Sequence, residues 1–348
     1  MTDSLTITRT LSRHAPLGGA VGRVLVPLLA VSASMVAACG QTQDLGDTAH
    51  GLLPVDNRNT ILFTNDSSVD NWQGEYAILF AHGNGPKLAG IIVNTSGPWP
   101  NIDDNVAGWR SLVNAARMSG MTDVPYPVAS VGPALVRPAN GDIDATVPNH
   151  SEGARLIITA SRGAPHYRPL VVVTGGRLTD VADAYLLDKT VVDRVIIVCS
   201  LGTATDTGWV SGRPNGEMDP WADTIVASKF NFVQVSAFYD QTNDIPTARI
   251  PDLPANPFGQ WMATKAPNIW SDMRAADQVG ILSVAVAGFA TTAPQVAVSA
   301  PTLADAKVGP TLVMKANGNG QIVTQIAPAN AVAQVWKLLG DPKTFAPR

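Results

Sequence analysis

ILFTNDSSVDNW, residues 61–72, runs from a short apolar strand into a cluster of oxygen-bearing side chains. Ile61, Leu62 and Phe63 follow one another without a polar break, the pattern of a strand buried on both faces. Asp66 stands at the strand exit. A tight turn at Ser67-Ser68 folds Asp70 and Asn71 back beside it, at the start of a helix expected over residues 72–83. In an open parallel sheet, sites form beyond the carboxyl ends of the strands, so these side chains are placed for chemistry. Calcium takes six to eight oxygens from such clusters. The structural alternative is a helix cap, a role that Asp and Ser also fill.

Outward from this stretch, short apolar runs alternate with helical patterns. Strands are expected at 88–93, 170–173, 195–198 and 232–238. Helices are expected over 104–118, 152–161, 178–187, 219–229 and 274–289, with a proline-marked passage at 125–136. This alternation predicts an α/β fold, an open and mostly parallel sheet flanked by helices. After Pro294 the pattern changes to small, partly antiparallel strands (VAVSA, TLVMKA, QIVTQIA), with Gly318-Asn319-Gly320 as a turn and a closing helix over 328–338. No linker divides residues 60–348, which predicts one domain.

Two further strand ends carry candidate groups. In VVVTGGRLTDVADAY, residues 171–185, a buried strand enters Thr174-Gly175-Gly176, where the glycines let backbone approach a ligand. The spacing is neither a dinucleotide fingerprint nor a phosphate-cradling loop. Asp277 is the last acid before a long apolar helix. Cys199 ends a buried strand and reads as a small core residue, and His82 as structural.

Taken in order, these segments resemble the inosine–uridine-preferring nucleoside hydrolase family over residues 60–348. TNDSSVDNW is similar to that family's aspartate-rich motif. TGGRLTDVADAY resembles its threonine-glycine-leucine-threonine-asparagine segment. LAGIIVNTSG and PVASVGPALVRP resemble its second strand and the strand leading to Pro-Leu. Pro214-Asn215-Gly216-Glu217-Met218-Asp219-Pro220 is similar to its asparagine followed four residues later by Asp-Pro.

The resemblance implies calcium-dependent hydrolysis of an N-glycosidic bond in a nucleoside or related ribosyl compound. Asp66 would be general base and metal ligand; Asp70, Asn71, the Thr174 carbonyl and Asp277 would complete the calcium shell. Asn215 would hold ribose hydroxyls, with Asn94 a further candidate. Trp72 and Trp209 are candidates to stack on substrate, as are Trp99 and Trp221, although core or rim packing is the commoner role for each. The family also implies a homo-oligomer.

The chain departs from the family pattern at Thr64 and Asn71, where aspartates are usual, at Ala276, where histidine is usual, and at Arg213, where an acid is usual. Asn140-Gly141-Asp142-Ile143-Asp144 replaces a His-Gly segment. The implied metal shell is largely kept while sugar and base recognition is altered, so a weak or inactive nucleoside- or sugar-binding protein on the same scaffold is the second reading. A structural envelope protein is the third.

The amino terminus adds a location. Arg9, Arg13 and Arg23 precede the apolar run at 24–38, and Cys39 follows Val36-Ala37-Ala38. That order fits a signal peptide (residues 1–38), and the junction resembles a bacterial lipobox. Cys39 would then be lipid-modified, with 39–59 a tether to the membrane, placing the protein in the bacterial cell envelope. Removing residues 1–38 takes out three Arg and one Asp, and moves the formal charge from −4 to −6. An acidic chain is a poor match for nucleic acid, whose binding needs a basic surface. The charged fraction of 15% is low and favours export.

Overall fold

The computed structural model describes residues 55–69, 71–199, 203–204, 218–235, 245–268, 276–298 and 310–347. The expected signal peptide, Cys39 and tether through residue 54 lie outside them, as do Asp70, Trp209, Arg213 and Asn215. No helix among the described residues is long and apolar enough to cross a membrane.

Among the described residues, seven strands form an unbroken run of parallel neighbours: β1 (Thr60–Asn65), β2 (Lys87–Val93), β3 (Pro127–Ala129), β4 (Leu170–Thr174), β5 (Val195–Cys199), β7 (Asn231–Gln234) and β10 (Gly320–Ile326). With β6 (Thr203–Ala204), β8 (Ala290–Val298) and β9 (Thr311–Met314) they make one sheet in the order β3-β2-β1-β4-β5-β7-β10-β8-β9-β6. The expected α/β architecture with added carboxyl-terminal strands is therefore present, and β1 lies among the parallel strands rather than at an edge.

Alternation along each strand divides the core into two layers. Ile61 and Phe63 of β1 pack with α1 (Gln73–His82), α2 (Ile102–Met118), α6 (Pro257–Lys265), α7 (Ala276–Ala285) and α8 (Pro328–Gly340). Leu62 points the other way, toward α3 (Glu152–Arg162), α4 (Thr179–Leu187) and α5 (Pro220–Lys229). Both sets are fully buried, which accounts for the unbroken apolar run in the sequence. Cys199 is buried in the second layer as expected, and burial pushes its thiol well above the ordinary range.

Three expectations need correction. The chain turns to sheet at Ala290, before Pro294, because α7 ends at Ala285 and Gly288 takes a left-handed φ of +72°. The turn before Gly320 exists, but β9 and β10 are not neighbours; β8 lies between them and is antiparallel to both. Asn319 holds β10 on its other side. Its Nδ2 donates to the carbonyls of Ala227 (2.7 Å) and Phe230 (2.6 Å), which staples the start of β10 to the end of α5. A Cβ on Gly320 would lie 2.1 Å from the Phe232 ring, so only glycine lets β10 lie against β7 there. Thirdly, α6 was not anticipated. Its signal is local: Asn256 caps the amide of Gly259 at 2.8 Å, and Pro257 occupies the first turn.

Candidate functional site

The site region is the carboxyl end of β1 and its neighbours. Thr64 is in register with Ile92 of β2 and Thr174 of β4. The ladder runs past the strand ends, with Asn94 N donating to Asn65 O at 2.9 Å and Gly175 N to Thr64 O at 2.7 Å. Thr64, Asn65, Asp66, Asn94 and Thr174 are thereby held on adjacent strand exits, all buried.

The loop carrying Asp66 is fixed from α2. Trp109 Nε1 donates to Asp66 O at 3.2 Å, and its ring packs 5.2 Å from that of Phe63. Asp66 Oδ1 accepts from Ser67 N at 2.7 Å. Asp66 is 3% exposed, so protein groups rather than bulk water surround it.

Strand alternation sends Asn65 to the α1–α7 layer. There Asn65 Nδ2 donates to Gln73 Oε1 at 2.6 Å. Asn71 Oδ1 accepts from Gln73 N at 2.8 Å, and Asn71 Nδ2 donates to Asp277 Oδ2 at 2.8 Å. Gln278 Oε1 accepts from Trp72 N at 3.2 Å. Four amide side chains and one carboxylate thus meet where α7 docks on the amino end of α1. Gly175 closes the group from β4: a Cβ there would lie 2.4 Å from Asn65 Nδ2, 2.6 Å from Gln73 Oε1 and 2.7 Å from Asp277 Oδ2. The close approach at Gly175 is to protein side chains, two amides and a carboxylate.

On the opposite layer, Asn94 Nδ2 donates to Thr64 Oγ1 at 3.0 Å, while its buried Oδ1 accepts no hydrogen bond. Asp219 caps α5 and binds two other segments, accepting from Ala222 N (3.0 Å), Leu135 N (2.9 Å) and Thr179 Oγ1 (2.6 Å). Burial raises its carboxyl, against the lowering effect of those donors. Asp180 is likewise raised by burial, and accepts from Ser130. Asp183 gathers the backbone N–H groups of Asn149 (2.8 Å), His150 (3.3 Å) and Ser151 (2.8 Å) before α3.

Of the sequence candidates, the structure joins Asn71 to Asp277 directly and sets Asp66, Asn94 and Thr174 on neighbouring strand ends. Trp72 requires correction as a stacking residue. It is 1% exposed and stacks on Tyr76, 6.3 Å between centroids, so packing occupies its faces. Trp221 is also core, bonded through Nε1 to Thr146 Oγ1 at 3.0 Å. His82 is buried against Asp123, a structural pairing. The Asn140–Asp144 segment ends in an ionic anchor: Asp144 accepts from Tyr185 Oη at 2.7 Å and pairs with Lys189 at 2.9 Å, which lower its carboxyl pKa. Asn65, Gln73 and Gln278 were missed. Their only sequence signal is nearness to the candidates: Asn65 and Gln278 adjoin Asp66 and Asp277, and Gln73 lies two residues after Asn71.

The calcium shell implied by the resemblance can be compared with this geometry. Among the described residues no group of three His, Cys, Asp or Glu side chains could hold a metal, Asp70 lying outside them. Asn71, as placed, turns its amide nitrogen rather than its oxygen toward Asp277. Its oxygen faces the Gln73 N–H, and the group it presents to Asp277 is an NH2, which has no lone pair to give.

No family model matches the chain, and no curated protein matches it. Solved structures do. The purine-preferring ribonucleoside hydrolase from Gardnerella vaginalis aligns with a TM-score of 0.54 at 15% identity, over 83% of this chain and 100% of that one. The inosine–uridine-preferring nucleoside hydrolase from Bacillus anthracis gives 0.55 at 14%, over 82% and 99%. An inosine–guanosine nucleoside hydrolase gives 0.58 at 14%, over 81% and 98%. The fold is that of the nucleoside hydrolases. At these identities the likeness extends to the fold alone, and it accounts for the mostly parallel sheet flanked by helices.

Proposed function

We propose that this protein hydrolyses the N-glycosidic bond of a nucleoside or related ribosyl compound, with Asp66 as general base. The observation that carries this reading is the meeting, behind the Asp66 loop, of Asn71 and Asp277 from distant parts of the chain. Together with Thr174 and Asn94 on adjacent strand exits, they stand where the family resemblance locates its chemistry. A fold by itself names no reaction, so the residues at the strand ends bear the weight.

In this reaction a water oxygen bonds the anomeric carbon as the carbon–nitrogen bond breaks, and the electron pair leaves with the base. Asp66 takes the proton from that water. The carboxylates of Asp66 and Asp277 favour the positive charge that develops on the sugar. Asn94 Oδ1, buried and accepting nothing from the protein, receives a sugar hydroxyl. Asn215 and Trp209 would complete recognition. Asn71 as placed offers Asp277 a hydrogen-bond donor, so the steps above are assigned to the chain's own groups. The signal-like amino terminus and Cys39 support a lipid-anchored enzyme on the extracytoplasmic side of a bacterial envelope.

Binding without turnover is the second reading, favoured by neutral Thr64 and Asn71 at positions where the resemblance has acids. Purine and pyrimidine ribonucleosides incubated with the full chain, with base release followed by chromatography, separate the two. Asp66→Ala is expected to lower the rate by about 10²–10⁴-fold, the range for a positioned base. Equal rates in wild type and variant would remove Asp66 from the mechanism; binding with no release in either would favour the second reading.

A further inference from the structure

We propose that the Asn71 amide takes the place of a calcium ion as the partner of Asp277, so that the chain folds without calcium and binds it weakly. The inference concerns the site of the proposed hydrolysis but does not require that Asp66 act as a base.

The amide is held at both ends. Gln73 N donates to Asn71 Oδ1 at 2.8 Å, which requires an oxygen on that side. Asn71 Nδ2 consequently faces Asp277 Oδ2, also at 2.8 Å. Turning the amide over would set an oxygen against a carboxylate and an NH2 against an N–H, losing both bonds. A hydrogen bond from a neutral donor to a carboxylate is a charge-assisted one, so Asp277 remains satisfied in a buried place without a cation.

The neighbours are of the same kind. Asn65 and Gln73 bond one another at 2.6 Å, and Gln278 takes the Trp72 N–H. Gly175 leaves no room for a side chain from β4. Calcium affinity follows ligand charge and the supply of free oxygens. Here a carboxamide supplies a hydrogen to the carboxylate that would otherwise be a ligand.

The test measures calcium itself, by titration calorimetry and thermal unfolding of the full chain after chelation, in wild type and Asn71→Asp. The wild type is expected to shift its Tm by less than about 1 °C in millimolar calcium, since a ligand present below its Kd adds little stability. Asn71→Asp restores a second charged oxygen donor beside Asp277, and is expected to bind calcium at least about tenfold more tightly and to be stabilised by it. A wild type that binds one calcium ion tightly would overturn the proposal. So would a variant that gains no affinity, because Asn71 would then not be the determinant. Should Asn71→Asp fail to fold, the wild-type titration still decides. Neither readout depends on turnover, so the Asp66→Ala assay can fail independently.

Discussion

The amide nitrogen of Asn71 lies 2.8 Å from Oδ2 of Asp277, although 206 residues separate them. This contact ties α7 to the loop that leaves the β1 strand. It also makes the packing of two helices a condition for assembling the site, since each side chain reaches the other only when α7 is docked on α1.

Gly175 is the tightest point in that assembly. Gly175→Ala would push a methyl group within 2.7 Å of Asn65, Gln73 and Asp277 at once. The expected cost is about 1–3 kcal/mol of stability in urea unfolding, as for other overpacked interiors. Gly340→Ala is the control: nothing lies within 4 Å of its added methyl at the end of α8, and a gain of about 0.5–1 kcal/mol is expected. Equal effects at the two glycines would show that the crowding around Gly175 is relieved at no cost.

Asp219 joins three segments through one carboxylate. Asp219→Ala leaves the Ala222 and Leu135 amides and the Thr179 hydroxyl without their acceptor. Each buried unmet donor costs about 1–3 kcal/mol, so a loss of about 3 kcal/mol or more is expected in urea unfolding. Asp219→Asn keeps one oxygen and should lose less. If both variants unfold like wild type, Asp219 does not couple α5 to the β4–α4 loop.

Glu75 sets a pH dependence. It lies within α1, fully buried, and neither carboxyl oxygen has a hydrogen-bond partner. Burial raises its pKa well above the ordinary 4.5. Above that ordinary value the unfolded chain releases a proton that the folded chain keeps. Folding therefore binds a proton, and stability contributed at low pH is lost as pH rises toward the folded value. Relative to Glu75→Gln, wild type should weaken by up to about 1.4 kcal/mol per pH unit across that window. Parallel stability curves for the two proteins between pH 4 and 9 would show that Glu75 does not titrate on unfolding.

The order of elements was legible because periodicity is a local property. Ile61–Phe63, Leu170–Val173 and Val195–Val198 read as buried strands from composition alone, and the helices between them required a parallel sheet. The positions of Asp66, Thr174 and Asp277 at the end or start of apolar elements were also legible. The sequence by itself could not say that β8 lies between β9 and β10. That placement depends on pairings between distant segments, as does the hold of Asn319 on Ala227 and Phe230, about ninety residues away. Nor could it orient an amide. An asparagine at position 71 reads as an oxygen donor or as a hydrogen donor with equal ease. Only the folded chain decides, because the Gln73 N–H claims the oxygen and docking of α7 brings a carboxylate to the nitrogen. Hydrophobic patterning acts over a few residues and fixes which side of an element is buried. The chemistry of this site depends on which polar atoms from distant segments meet once that burial is complete.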